Sequence, residues 1–337
     1  GAFCICFEPA KLFLHNFPYY APFGSQDSAQ AMTAVRSVYN DVPWLTEQFT
    51  QEYKQELLGL HGWDNYHLGT TDPWDTVDDL KGVKVGGAGP NLPWLEFAGA
   101  IPVQSTLPDG YLSLQTGVYN GWLMFPSAYL GFKFHEPAPN YTKVGFGAMP
   151  VNALTMNSRT MASLPEEVQA IIREVGQAYE DQSGASLNAA QKRGLDGLEA
   201  AGANVKSLPA DARAGWAESL VGFPQQQATE ADSRGMPGSE VLKAYLAAAE
   251  AARLARLRSG AAAVRALPFH NRCCLPVQLA GPPHTTEPTK TAASPRRRGT
   301  EALAPRMDAY VRVSRRFCLF ASPRNASWLL RWRHQRA

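Results

Sequence analysis

Between Cys6 and Cys273 the chain has no cysteine, a gap of 266 residues. A body of that length without a thiol suits a protein exported to an oxidising compartment and held by its core alone, and it suits a cytosolic protein equally well. No run approaches the roughly eighteen uncharged apolar residues that a membrane-crossing helix needs, so no transmembrane segment is expected. The first residues show no basic stretch followed by an apolar one, and no export signal is visible in this chain. The usual catalytic signatures are missing too: there is no HExxH, no GxSxG and no P-loop. Gly87-Ala88-Gly89 begins like a dinucleotide fingerprint, but Leu92 stands where the third glycine belongs and Pro90 removes an N–H that would face phosphate. Cys273-Cys274 lacks the spacing of a zinc site. No cofactor and no metal are therefore expected. His61 and His67 flank Trp63 and Tyr66, and read as polar residues on a strand end and a loop rather than as a catalytic pair.

Lysine nearly vanishes after Arg258. Residues 259–337 hold 13 Arg and one Lys against three acidic residues, a net of +11, whereas residues 1–258 carry a net of −9. Periodic segments stop at the same point, so 259–337 reads as a basic tail, disordered or foreign to the fold, of the kind that translation in a wrong frame of a GC-rich gene would yield. Its Arg296-Arg297-Arg298 could meet nucleic acid, but no module positions those cations and the body is acidic. What remains is an ordinary globular composition, 45% apolar and only 18% charged, too little charge for a disordered chain.

Within that body, helix and strand patterns alternate. A helix follows Pro22-Phe23-Gly24, capped by Ser25 or Ser28, with Ala31, Ala34, Val35 and Val38 at helical spacing, and Asp41-Val42-Pro43 ends it. Further helices are expected over 44–55, 76–82, 92–98, 111–117, 211–221 and 241–257, and strands over 57–61, 83–85, 101–104 and 205–208, with one long strand over 144–156. Ser163-Leu164-Pro165-Glu166 has the form of a capping box. Behind it Val168, Ile171, Ile172, Val175 and Tyr179 hold helical period, continued by Leu187, Leu195 and Leu198. That run to Ala201 is long enough to reach roughly 58 Å, so it must span two lobes or kink near Ser183-Gly184. The alternation argues for an α/β fold with parallel strands. Aromatic and amide residues gather in its loops: Asn91-Leu92-Pro93-Trp94 after one strand, Asn120-Gly121-Trp122-Leu123-Met124-Phe125 after a short helix, and Phe132-Lys133-Phe134 beyond. Such side chains can line a cleft for a small organic molecule.

Two segments together resemble a known family. Asp79-Leu80-Lys81-Gly82-Val83-Lys84-Val85 is similar to the DLKGxKxR segment of DctP-type solute-binding proteins of TRAP (tripartite ATP-independent periplasmic) transporters. The stretch from Leu107 to Gly121 is similar to that family's E-x-Y-x-A-L-Q-x-G-x-x-D-G segment, and Gly99-Ala100-Ile101-Pro102-Val103 fits between the two. Met156-Asn157, with Ser163-Leu164-Pro165-Glu166-Glu167-Val168-Gln169, resembles the family's entry to its long helix, and Pro22-Phe23-Gly24 an earlier turn. The resemblance covers about 13–252. It implies a periplasmic-binding-protein-like α/β fold of two interleaved lobes over 13–258, with a central cleft and a bridging helix. Residues 1–12 stay unassigned, and the family's first strand–helix–strand unit has no counterpart.

The departures bear on the ligand. Gly86 stands where the family usually places an arginine that clamps a carboxylate, Asp72 where a second arginine often precedes proline, Asn120 replaces an aspartate and Asp109 a glutamate. The resemblance implies a non-enzymatic, periplasmic protein that captures a small organic solute, an organic acid foremost, and hands it to TRAP permease subunits. Nucleic acid is not an expected partner. Trp122 is the leading ligand-facing residue, followed by Tyr111, Asn91, Trp94, Phe125, Phe134 and Asn152. The other classes open are an enzyme on the same scaffold and a nucleic-acid binder acting through the tail.

Overall fold

The computed structural model describes residues 1–266; the expected foreign tail, apart from its first residues, lies outside the described residues. The chain opens with β1 (Ala2–Cys4), α1 (Phe17–Tyr20), α2 (Ser28–Asp41), α3 (Trp44–Gln51), β2 (Gln55–Trp63) and β3 (His67–Thr70). It continues through β4 (Lys84–Gly87), α4 (Pro93–Glu96), β5 (Ile101–Gln104), α5 (Leu107–Gln115), β6 (Gly121–Met124), α6 (Pro126–Gly131) and β7 (Asn140–Lys143). Then follow β8 (Met149–Asn157), α7 (Ser158–Ala162), α8 (Glu166–Ala200), β9 (Asn204–Ser207), α9 (Ala210–Ser219), α10 (Phe223–Ser233) and α11 (Gly238–Ala266). The periodicity lost at Arg258 does not end α11, which runs on to Ala266. Among the described residues no helix is long and apolar enough to cross a membrane.

The strands form two sheets, one per lobe. The first has three strands in the order β1-β8-β2, all antiparallel. The second has six, in the order β5-β4-β6-β3-β7-β9. In it β4 runs parallel to β5 and β6, and β7 parallel to β9, but β3 is antiparallel to both its neighbours. The expectation of parallel strands therefore holds for β4, β5 and β6 and for β7 with β9, and fails throughout the first sheet and at β3. The reason is topological: β3 enters the second sheet directly from β2 of the first, without a helical crossover to reverse it.

That direct entry is half of a paired crossing. Residues 55–70 pass from the first sheet to the second while residues 140–157 pass back, and the two segments run antiparallel throughout. Between the sheets the pairing is carried by Tyr66 N–H to Gly147 O and Phe146 N–H to Tyr66 O, both 3.1 Å. Two side chains complete it: Asn65 Oδ1 accepts from Gly147 N–H at 2.8 Å and His67 Nδ1 from Gly145 N–H at 3.0 Å. Gly147 has φ of +113°, which a side chain would resist. The expected single strand over 144–156 is interrupted here, because positive φ at Gly145 and Gly147 breaks the extended path.

Helix α8 is continuous for 35 residues and packs against both lobes, on β2 and α2 at one end and on α6 at the other. Its capping box does not form. Ser163 closes the preceding α7, so its hydroxyl turns back to Thr160 O at 2.8 Å and Pro165 takes the N-cap position. Over its first half the buried face is not the one the apolar period picks out: Val168, Ile171, Val175 and Tyr179 are exposed, while Gly176, Glu180, Ser183 and Gly184 are buried; farther along, Leu187 and Leu198 are buried as the period expects. Small residues win that face because the helix backbone approaches the sheet closely, and Glu180 is tolerated there because it is fully engaged. Its carboxylate takes the Arg36 guanidinium of α2 and the Leu60 N–H of β2 at 2.7 Å. The cap of α2 is Asp27 rather than a serine, its Oδ1 accepting from Ala29 and Gln30 N–H at 2.9 and 3.3 Å. The N-terminal segment adds β1 to the first sheet and closes a Cys4–Cys6 disulfide, leaving Ile5 buried.

The close approach of α8 gives a test. Alanine normally stabilises a helix over glycine by about 0.5–1 kcal/mol. Gly215 of α9 faces open space, so Gly215→Ala should follow that rule. A Cβ on Gly176 would collide with the Leu58 carbonyl, so Gly176→Ala should instead cost about 1–3 kcal/mol. Chemical denaturation of both variants checks the opposite signs.

Candidate functional site

A cavity of about 390 Å³ opens where the strand crossing meets the carboxyl ends of β4 and β6. Crevices of this kind, outside the carboxyl ends of parallel strands, are the usual ligand sites of α/β sheets. Each wall has a local cause. Strand β4 ends at Gly87 and leaves Ala88 and Asn91 on a turn; β6 delivers Trp122, Leu123 and Met124, and Phe125 and Ser127 begin α6. Trp63 ends β2 and Tyr66 sits in the crossing itself, while Cys6 and Phe7 close the side nearest the first sheet. Leu107, Ala128 and Phe132 complete the lining.

The aromatic side chains are ordered by one another. Trp63 stacks on Phe125 with centroids 5.1 Å apart and planes 9° from parallel, and Tyr66 meets Phe125 edge-on at 5.2 Å. Tyr66 is fixed from behind by a hydrogen bond between its hydroxyl and that of Tyr19, at 2.9 Å. Trp122 is fully buried between Tyr119 and Phe134 and lies over Gly86, where an added Cβ would come within 2.6 Å of the indole. At the position where the resemblance would put a clamping arginine, the indole fills the space. Two polar atoms on lining residues are buried without a partner, Trp122 Nε1 and Asn91 Oδ1.

Of the residues expected at the ligand, Trp122, Asn91 and Phe125 line the cavity. The other four are placed elsewhere. Trp94 lies behind the wall, its Nε1 donating to Tyr19 O at 2.8 Å and its ring stacked on Phe146. Phe134 is a fully buried buttress beneath Trp122. Tyr111 faces outward and donates to Glu136 Oε2 at 2.6 Å. Asn152 belongs to β8, between Cys4 and His61 in the first sheet. Met124 and Phe132, part of the loop segments expected to line a cleft, also line the cavity, whereas Trp63, Tyr66 and Ser127 were not expected there. Trp63 and Tyr66 were legible as aromatics flanking the Asp64-Asn65 break, and only the crossing turns them toward β6.

His61 and His67 go to different places. His61 Nδ1 meets Ser183 Oγ of α8, whereas His67 is buried in the crossing. Burial, with Lys143 and Arg213 nearby, pushes the His67 imidazole down to about 3. Beside the cavity lies Asp64, fully buried, with Oδ1 accepting from Ser127 Oγ at 3.1 Å and Oδ2 unpartnered. Burial pushes its carboxyl up to about 7, and the Ser127 hydroxyl opposes only part of that rise.

Two lobes joined by crossing strands, with an aromatic cavity at the strand ends, are the architecture of a two-lobed binding protein. Residues 17–230 match the model of the family described as bacterial extracellular solute-binding protein, family 7, and the chain belongs to that family. It is 29% identical over 135 residues to a solute-binding protein of Sulfitobacter sp. strain NAS-14.1, a match covering 40% of this chain and about two-fifths (41%) of that relative's length. Solved structures share the fold. A TRAP solute-binding protein of Rhodoferax ferrireducens T118, in complex with benzoate, superimposes with a TM-score of 0.67 at 20% identity, over 76% of this chain and 80% of that one. One from Bordetella bronchiseptica with bound (R)- and (S)-mandelate gives 0.64 at 20% identity, over 74% and 79%. A marine-metagenome protein described as specific for aromatic acids, with 3-hydroxybenzoate, gives 0.64 at 21% identity, over 74% and 78%.

Asp64 generates a prediction of unusual sign. The folded protein holds its proton up to about pH 7, whereas the unfolded chain releases it near 3.8. Between those values the folded state binds the extra proton, so the contribution of Asp64 to stability falls as pH rises, by about 1.4 kcal/mol per unit, and is fully lost above pH 7. Asp64→Asn keeps an acceptor for Ser127 and should gain on the wild type steadily from pH 4 to 7. Buried His67, and His15, which burial pushes down to about 4, slope the opposite way but are common to both proteins. Urea midpoints of the pair across that range read the difference.

Proposed function

We propose that this chain captures a small organic solute in the cavity between its lobes, outside the cytoplasm, and delivers it to the membrane subunits of a TRAP-type permease. The observation that carries this reading is the cavity itself: an aromatic-walled space at the crossing of the two lobes, where the ligand touches both. A ligand there favours whichever lobe arrangement completes its contacts, and a change of lobe arrangement is what a permease can sense. No covalent step is required. Ser127 has a carboxyl as its hydrogen-bond partner rather than an imidazole, so the enzyme alternative gains no support from it. Export, permease subunits and the absence of nucleic-acid binding belong to the same reading, which rests on family membership and on the solved relatives. Those relatives hold benzoate, mandelate and 3-hydroxybenzoate, so organic acids with aromatic rings head the list to screen.

The first test is a thermal-shift screen of the full chain against organic acids, their neutral analogues, amino acids and sugars. A solute at 100 times its Kd should stabilise by about 2.7 kcal/mol. No shift from any of them would count against the reading.

Trp122 supplies the second test. As a buried ring packed on Tyr119 and Phe134 it should cost about 3–5 kcal/mol when cut to alanine, and binding should weaken more than tenfold. Trp122→Phe keeps an aromatic ring in the packing while removing the indole N–H and part of the ring. Calorimetry should show weaker binding at a melting temperature within a few degrees of wild type. A destabilised Trp122→Ala that binds normally would remove Trp122 from the site.

A further inference from the structure

One wall of the cavity comes from the start of the chain. What it does rests on the reading of solute capture and goes beyond it. Cys6 and Phe7 line the space, on a loop that is tied at several points. At its base Cys4 pairs with Asn152 of β8. The Ile5 side chain is fully buried, and the Ile5 carbonyl accepts from Glu8 N–H at 3.1 Å. The Cys4–Cys6 disulfide, a bond that persists outside the cytoplasm, closes the loop, and Cys6 is itself buried. Cys6 also meets the second lobe: a Cβ on Gly89, in the turn after β4, would stand 3.3 Å from the Cys6 carbonyl oxygen. The loop therefore reaches from the first sheet to the turn that carries Ala88 and Asn91, a contact between the lobes separate from the crossing and from α8.

Phe7 is the part of this loop left uncovered. It is 59% exposed, while Ile5 and Cys6 before it are buried. Of the residues lining the cavity, Phe7 and Phe132 alone are exposed; the others are buried or half-buried. These two rings stand where the cavity meets solvent, one on the N-terminal loop and one at the end of α6 in the second lobe. An apolar ring gains by leaving water, in proportion to the area covered. A ring on an ordered base gives that gain at little entropic cost, because its loop has little freedom left to lose. A solute that carries a ring covers Phe7 as it enters, whereas a compact polar solute such as glycine has no apolar surface to lay on it.

We infer that the Cys4–Phe7 loop is a specificity element of the solute site: Phe7 is the ring that an aromatic solute covers on entry, and the disulfide holds Phe7 at the mouth of the cavity.

The test is calorimetry of the full chain with benzoate, mandelate and 3-hydroxybenzoate as probes. Phe7→Ala should weaken the tightest-bound of the three about 5- to 20-fold, with a melting temperature within a few degrees of wild type, and Phe7→Tyr should restore it. Phe3→Ala is the control. Phe3 is 37% exposed on the same segment but borders a separate hollow with Lys11 and Tyr53, so this variant should bind as wild type does. Cys4→Ser combined with Cys6→Ser should lose at least as much affinity as Phe7→Ala; if that chain does not fold, the Phe7 variants decide. A Phe7→Ala that binds all three probes as wild type does, or a Phe3→Ala weakened equally, overturns the inference and leaves solute capture intact. A double-serine chain that folds and binds normally overturns the part given to the disulfide. A wild type that takes none of the probes but is stabilised by a sugar or an amino acid overturns the inference alone. A wild type that binds nothing overturns both.

Discussion

The paired crossing of residues 55–70 and 140–157 is the constraint on which the rest depends. Two short backbone bonds between Tyr66 and the 146–147 segment hold the lobes together where neither sheet reaches. The crossing sets β3 against the direction of the rest of its sheet, brings Tyr66 to the cavity, and consumes Asn65 and His67 as acceptors for glycine N–H groups. A buried imidazole held neutral is suited to that task, because only the unprotonated Nδ1 can accept. Backbone need here, rather than chemistry, accounts for His67.

Aromatic packing links that crossing to the ligand space. Trp94 fixes Tyr19, Tyr19 fixes Tyr66, and Tyr66 meets Phe125. Trp122 is held by Phe134 and Tyr119 over Gly86. Side chains with such neighbours have little rotamer freedom left to lose when a ligand arrives, so the site is largely preformed. Residues one layer back, such as Trp94 and Phe134, therefore matter to binding without touching the solute.

Most of the elements and the family were legible because helical period, glycine stops and two motif-bearing segments are local signals. The cavity was legible in part. Asn91 and Phe125 sit directly after strands β4 and β6, and Trp122 within β6, where side chains converge at a sheet's carboxyl edge. Trp94 follows the same β4 turn, on α4, yet its indole is drawn inward by the Tyr19 carbonyl, a partner 75 positions away in sequence. The buried face of the first half of α8 was misread for a related reason. Apolar period predicts which side seeks a core, but Gly176 and Gly184 decide which side can come close enough, and Glu180 follows them inward because Arg36 and Leu60 N–H satisfy it. Polar, glutamine-rich α10 offered no apolar period to read. Trp63 and Tyr66 needed the crossing, which is a long-range fact.

Helix α8 also acts as the spine of a book. Its backbone lies against β2 of one lobe near Gly176 and against Ser127 of the other near Gly194. A rod with no break between those two attachments fixes the spacing of the lobes along the back. The covers can then part only by turning about that spine, so travel is smallest at the hinge and grows toward the free edges. A solute lodged near the hinge thus needs to shift its neighbours only slightly to swing the outer rims far, and the rims are where a large partner would register whether the book is shut.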